Sequence, residues 1–516
     1  MKSRFRSPIL IYSLLTLIPV SLTVLIMQFV VQRAWSAYLL VSLFLIVINT
    51  ILIIYPWLNT LFKQQTLIQP VNIYTITSSG YILGAIFLVS GGQSRSLRYV
   101  LTPDALPAFT LALFTVTIGL VSYLLSYYLT LGTQNYDISF SQSSSRIKSS
   151  LRSFDLTNRK IFLLALGITT AIGLLGYGLF VQSSGGIAAI VTNIHSRTLL
   201  RTTDYYRLLF QFLQATTFLW LIFDTNALKK ISFWGFFAFN IYTMATLGSA
   251  APIILFCIFI LSIKLSLHRP SGNPFAKLSR YLIQALFLLL LVFILLIGRI
   301  AWREASVIAV RNVSTDLSVD LIAERALSYE ATEIVSSVLG GANLASIESL
   351  ARVVDSVPTQ IDFLYGKTFY WTLLLPIPRA VWPEKPVTTI GIYLKRQLEY
   401  ADARAGGVPA SWLGELYLNG GLFGVIIGQL AFGYLSARAV QWFHRHRGSH
   451  FARLHYVNFV IIFTFYLTKT EFKTGLNRAV GFGLAFLLVH FLIKKYVSPN
   501  VTNAYVTKVA FSNNPS

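Results

Sequence analysis

Pro376-Ile377-Pro378-Arg379-Ala380-Val381-Trp382-Pro383-Glu384-Lys385-Pro386 sits in the one long part of this chain that is not simply apolar. Its four prolines rule out a regular helix or central strand, because proline lacks an N–H and fixes φ. An aromatic run, Phe369-Tyr370-Trp371, leads into it. Arg404-Ala405-Gly406-Gly407 and then Gly414-Glu415-Leu416-Tyr417-Leu418-Asn419-Gly420-Gly421 lead out. On either side lie runs of about 20 apolar residues, each long enough to cross a bilayer. The stretch reads as irregular backbone held between membrane helices. Its Arg, Lys and Glu are the groups that a site for an anionic, membrane-bound substrate requires.

The rest of the 516 residues follow the same pattern, with 55% hydrophobic and only 12% charged, where a soluble domain carries about 25% charge. The fold expected is an all-α polytopic integral membrane protein. About twelve transmembrane helices are predicted, near 9–31, 36–55, 71–90, 107–129, 161–182, 208–228, 231–248, 251–267, 281–298, 411–437, 455–468 and 478–496. A single bent helix through Gly248-Ser249-Ala250-Ala251-Pro252 would make eleven. The segment 9–31 follows Lys2, Arg4 and Arg6, is too long for a signal-peptide core and lacks a small-residue cleavage site, so it reads as a first span. The organisation is then 1–298, nine spans; 299–410, one large extracytoplasmic loop; 411–497, three spans; and 498–516, a polar cytoplasmic tail. The lone Cys257 excludes an intramolecular disulfide.

Basic residues orient this arrangement. With both termini cytoplasmic, inside segments hold 22 Lys and Arg, and short outside loops hold 9, as the positive-inside rule requires. The net charge of +23 is thus a topology signal and an attraction to anionic membrane lipid. No basic patch accompanies a recognition motif, so nucleic acid is not implied.

Two outside regions carry further signals. After the fifth span, Arg197, Arg201 and Arg207 are spaced to share one side of a helix. They read either as phosphate contacts, through the planar guanidinium fork, or as interfacial anchors. In the large loop, Leu317, Leu321, Ile322, Ile334, Val335 and Val338 recur at helical spacing and end at Gly340-Gly341. A second helix is predicted over 344–355, with Leu344, Ile347, Leu350 and Val354 on one face and Pro358 as breaker. Residues 299–404 hold 11 basic and 12 acidic side chains. Dense, balanced charge suits amphipathic helices that lie on the membrane or roof the spans.

The order Val357-Pro358, Leu364-Tyr365-Gly366-Lys367-Thr368-Phe369-Tyr370, Ile377-Pro378-Arg379, Trp382-Pro383-Glu384-Lys385-Pro386, Gly414-Glu415-Leu416-Tyr417-Leu418-Asn419-Gly420-Gly421 and Gly424 resembles bacterial oligosaccharide repeat-unit polymerases of the Wzy type, the O-antigen polymerases. The close resemblance covers about 70 residues. Relatives often carry an arginine after the Gly-Ser that closes a middle span. Here Gly248-Ser249 is followed by Ala250, so no role transfers to that point.

The resemblance implies a membrane-embedded glycosyltransferase of the bacterial inner membrane. Donor and acceptor would both be oligosaccharides on undecaprenyl pyrophosphate, joined at the outer membrane face. A chain-length regulator and a flippase of the same pathway are the implied partners, and neither cofactor nor metal is implied. Such chemistry needs a base for the acceptor hydroxyl and positive charge for the departing pyrophosphate. Glu415 is the candidate base. Arg379 and Arg404, with Lys385, are candidates for the pyrophosphate, and Arg299, Arg303, Arg197 and Arg201 are further substrate contacts. Against this stand plainer readings: Glu415 as an anchor paired with Arg404 or Arg379, and Trp371, Trp382 and Trp412 as an interfacial aromatic belt. The competing functions are a lipid-linked glycan ligase of similar architecture and a flippase or transporter.

Overall fold

The computed structural model describes residues 37–62, 69–91, 101–132, 156–186, 204–224, 227, 230–246, 324, 346–374, 377, 381, 382, 384, 390–397, 411–446 and 450–496. Every regular element among them is helical: α1 Ala37–Phe62, α2 Pro70–Val89, α3 Leu106–Leu131, α4 Leu156–Ser183, α5 Asp204–Phe223, α6 Ile231–Thr246, α7 Ser346–Ser356, α8 Lys367–Leu373, α9 Ile390–Gln397, α10 Trp412–Arg445, α11 His450–Val457, α12 Thr464–Lys469 and α13 Phe472–Tyr496. A π-helical segment, Asn458–Phe463, joins α11 to α12. Among the described residues, six stretches are long and apolar enough to cross a membrane: Ala37–Thr60, Pro70–Val89, Pro103–Leu131, Lys160–Ser183, Trp412–Arg445 and Phe472–Leu492. The expected spans 9–31, 251–267 and 281–298, the split at Gly248 and, apart from Glu324, the loop helix over 317–339 lie outside the described residues.

The chain divides into two compact units. The first comprises Met1–Ile138, Phe293–His444 and Val460–Leu476; the second, Ser139–Val292, Arg445–Phe459 and Asn477–Ser516. In the first unit, α1, α2 and α3 pack together and α7 lies against α2 and α3. Helix association in a membrane relies on close packing and interhelical hydrogen bonds, because lipid is as apolar as leucine. Both are present. Ser42 and Thr110 share a hydroxyl hydrogen bond at 2.8 Å, Trp57 Nε1 donates to Thr75 Oγ1 at 3.1 Å, and Thr468 Oγ1 donates to Thr77 Oγ1 at 2.7 Å. Tyr74 and Tyr123 stack at 3.8 Å between ring centroids, and Phe432 of α10 meets both.

The helix expected at 344–355 is α7, ending as foreseen just before Pro358. It does not lie free on the membrane. Ile347, Leu350 and Val354 of the apolar face are buried, and so are Glu348 and Ser349 on other faces. It packs against α2 and α3 on more than its apolar face.

The second unit is held by glycine contact. Gly173 and Gly176 of α4 face α5, where a Cβ at Gly173 would strike the Leu213 backbone and one at Gly176 would come within 2.5 Å of Leu209 Cβ. Thr216 Oγ1 donates to Thr169 Oγ1 at 2.8 Å across the same crossing.

Candidate functional site

The span expected at 411–437 is not one straight helix. Gly420 and Gly421 break α10 into residues 412–419 and 422–445. Gly421 has φ +60°, which glycine adopts without steric cost. The two halves lie in tight contact: a Cβ on Gly424 would stand 2.5 Å from the Leu416 carbonyl oxygen, and one on Gly428 would meet the Leu416 side chain. The Gly-rich motif therefore works within one element, folding a short half-helix back on a long one.

That half-helix carries Glu415, buried at 1% exposure. Its Oε2 accepts the Phe472 N–H at 2.6 Å, satisfying one of the unpaired donors at the start of α13. Thr368 is a second partner of the carboxylate. Asn419 Nδ2 donates to Thr368 Oγ1 at 2.7 Å and to the Glu415 carbonyl at 2.8 Å. With its oxygen lone pair taken by Asn419, the Thr368 hydroxyl has its proton to give to Glu415.

The same asparagine fastens the loop before α8. Its Oδ1 accepts the Gly366 N–H at 2.8 Å. The Leu364 and Tyr365 amides donate to the Leu418 and Asn419 carbonyls at 2.9 and 3.1 Å. Residues 364–369 and 414–421, two separate parts of the motif order, are thus hydrogen-bonded into one cluster around Glu415.

A second carboxylate completes it. Glu471, between α12 and α13, accepts the Ile390 N–H at 2.9 Å and so caps α9. Its carbonyl accepts the Thr474 and Gly475 amides at the start of α13. Burial pushes the Glu471 carboxyl above its ordinary value, opposed by the Lys473 charge and by its hydrogen bonds from Ile390 and Thr474. Glu415 and Glu471 are close enough for their charges to interact. Among the described residues, no three His, Cys, Asp or Glu side chains group as metal ligands do.

Beside this cluster runs an apolar groove of about 800 Å³, walled by Trp412, Leu416, Asn419, Ile427 and Leu435 of α10 and by Phe472. The rings of Phe369, Trp412 and Phe472 meet one another at 5.5 to 6.1 Å between centroids. Trp412 is therefore a buried wall of the groove and not part of an interfacial belt. Trp371 pairs with Tyr393 at 5.5 Å, joining α8 to α9.

Of the residues singled out in the sequence, Glu415 is placed at the centre of this cluster. Arg379, Arg404, Lys385, Arg299, Arg303, Arg197 and Arg201 lie outside the described residues. The plainer reading, Glu415 paired with Arg404 or Arg379, falls on arginines outside the described residues; the partner seen is the Phe472 amide. Asn419, Thr368 and Glu471 were missed. Glu471 had a legible signal, a lone carboxylate between two apolar runs. Thr368 and Asn419 had none beyond standing in the motif.

No solved structure matches this chain. The O-antigen polymerases of Salmonella typhimurium (strain LT2) and Salmonella typhi are each 38% identical to it over 85 residues, which is 16% of this chain and 21% of each relative. The chain thus spans about a fifth of the length of these curated relatives. A family model, O-antigen polysaccharide polymerase Wzy, matches residues 15–499. With that match running through nearly the whole sequence, the chain belongs to the O-antigen polysaccharide polymerase Wzy family.

Proposed function

We propose that this chain polymerises oligosaccharide repeat units carried on undecaprenyl pyrophosphate, at the outer face of the bacterial inner membrane. An acceptor sugar hydroxyl attacks the anomeric carbon of the donor glycan. Its oxygen forms the new glycosidic bond while the bond to pyrophosphate breaks, and the electron pair leaves with the lipid pyrophosphate. Glu415 takes the hydroxyl proton, with Thr368 and Asn419 fixing the orientation of its carboxyl group. Arg379, Arg404 and Lys385 stabilise the departing pyrophosphate, and Arg299, Arg303, Arg197 and Arg201 bind the lipid-linked oligosaccharides. A flippase that delivers repeat units to the outer face and a chain-length regulator of the same pathway would be its partners.

The observation that carries the reading is the convergence of the two motif segments, 364–369 and 414–421, on one buried carboxylate beside an apolar groove. A carboxylate in a membrane-spanning segment is costly to keep and is a functional-site hypothesis by default. The gel pattern of surface glycan in a strain lacking the protein tests the reading. Loss of the long-chain ladder with single repeat units retained is the expected result. Loss of single units as well would instead fit a ligase, and repeat units held on the inner face would fit a flippase.

A further inference from the structure

A base that takes one proton per bond formed must lose it before the next bond. Glu415 is poorly placed to lose it to water. It is 1% exposed, and the groove beside it is lined mainly by apolar side chains. Its two partners are donors. The Phe472 amide has no lone pair to receive a proton, and the Thr368 oxygen already accepts the Asn419 N–H. Among the described residues, the carboxylate whose charge Glu415 meets is Glu471. The Phe472 nitrogen that donates to Glu415 is covalently joined to the Glu471 carbonyl carbon. With Oε2 2.6 Å from that nitrogen and standard backbone lengths, Glu415 Oε2 lies within about 5 Å of the Glu471 Cα. Glu471 is fixed in place. Its Oε2 accepts the Ile390 N–H at 2.9 Å, and the Thr474 hydroxyl stands 3.5 Å from its Oε1, a marginal contact that leaves Oε1 able to receive a proton. Glu471 keeps 7% of its surface exposed, and Lys473 and Thr474 beside it are half-buried. The way from Glu415 to Glu471 therefore runs outward. Burial also raises the Glu471 carboxyl above its ordinary value, so it takes up a proton more readily than a surface glutamate does.

We propose that Glu471 is the proton relay of the site, clearing Glu415 after each bond is made. Once Glu415 carries the acceptor's proton, its O–H bond breaks and an O–H bond forms on Glu471 Oε1, directly or through one water. Glu415 is anionic again and ready for the next hydroxyl. Glu471 then gives the proton to outside water and returns to its own anionic form. This rests on the reading of Glu415 as the base given above.

The test uses the purified full chain in nanodiscs with lipid-linked repeat units. Bond formation is followed through the first turnover by rapid quench, and then in the steady state. Imidazole, a small proton carrier, is raised at constant pH and ionic strength. Glu471→Gln keeps an oxygen for the Ile390 N–H but cannot carry a proton away. It should form one bond per chain in a burst, then slow by about tenfold or more, with the steady rate climbing as imidazole is added. Loss of a structural cap would instead slow the first bond as well and would not respond to imidazole. Absence of either the burst or the imidazole response overturns the relay. The unmodified chain should turn over at a rate independent of imidazole. A dependence there also overturns the relay, which keeps it open to refutation if the variant does not fold. A chain that forms polymer but fails these tests loses the relay alone. One that forms no bond from lipid-linked repeat units loses the polymerase reading and the relay with it.

Discussion

Asn419→Leu isolates the hydrogen bonding that assembles the site. Leucine keeps the number and branching of the side-chain heavy atoms, so the change opens no cavity and acts chiefly through three lost side-chain bonds, to Thr368 Oγ1, the Glu415 carbonyl and the Gly366 N–H. Each such bond is worth about 0.5–1.5 kcal/mol net, and a buried group left unsatisfied costs more. The sum is about 3 kcal/mol, or roughly 100-fold in a local opening equilibrium at 1.4 kcal/mol per tenfold. The loop over 364–368 should carry most of it, since only the backbone bonds from Leu364 and Tyr365 would still hold it. Hydrogen exchange measures this directly. The Gly366 amide should exchange roughly 100-fold faster in the variant, while the Val357 amide, bonded to the Val353 carbonyl, stays unchanged as the internal control. Asn419→Asp keeps an acceptor for Gly366 but loses both donors, and should fall between. Gly366 exchange within about threefold of the unmodified chain would refute the idea that Asn419 holds the loop.

Three further outcomes are expected. Gly424→Ala brings a Cβ to within 2.5 Å of the Leu416 carbonyl oxygen and should destabilise the folded protein by about 1–3 kcal/mol; an unchanged thermal midpoint in detergent would count against the folded-back half-helix. Because burial raises the Glu471 carboxyl above its ordinary 4.5, the native state holds that proton more tightly than the unfolded chain. The stabilisation is then full below pH 4.5 and lost as pH rises through the folded value, so Glu471→Gln should gain in melting temperature relative to the unmodified chain as pH is raised; parallel curves would refute this. In a Cys257-free background, exposed positions Glu384→Cys and His446→Cys should respectively react with and resist an impermeant maleimide in intact spheroplasts, and the opposite pattern would invert the topology.

What could be read in advance follows from what is local. α3 is an uninterrupted apolar run behind Pro107, and its bounds differ from those expected by only a residue or two. α7 was legible from leucine, isoleucine and valine at helical spacing ahead of Pro358. Helices that continue past the apolar core were read short. α10 runs on through Arg438 and Gln441 to Arg445, and α13 starts at Phe472, because Lys473, Asn477 and Arg478 lower the hydropathy of turns that are nonetheless helical. The break at Gly420-Gly421 was not separable from ordinary glycine-mediated packing, since the same residues serve both. The partners of Glu415 were beyond local reading altogether. Phe472 lies 57 residues away and Thr368 lies in another motif segment, so only the fold brings them together.

The central claim is that Glu415 accepts the acceptor's proton and does not merely cap α13. Glu415→Gln separates the two, because glutamine retains an oxygen for the Phe472 N–H but cannot take a proton. Purified variant and unmodified chain would be given lipid-linked repeat units, with polymer formation and thermal unfolding measured side by side. The account predicts turnover lower by about 10²–10⁴-fold with the unfolding midpoint unchanged. A stable Glu415→Gln protein that polymerises at close to the unmodified rate would contradict it and leave Glu415 a structural cap.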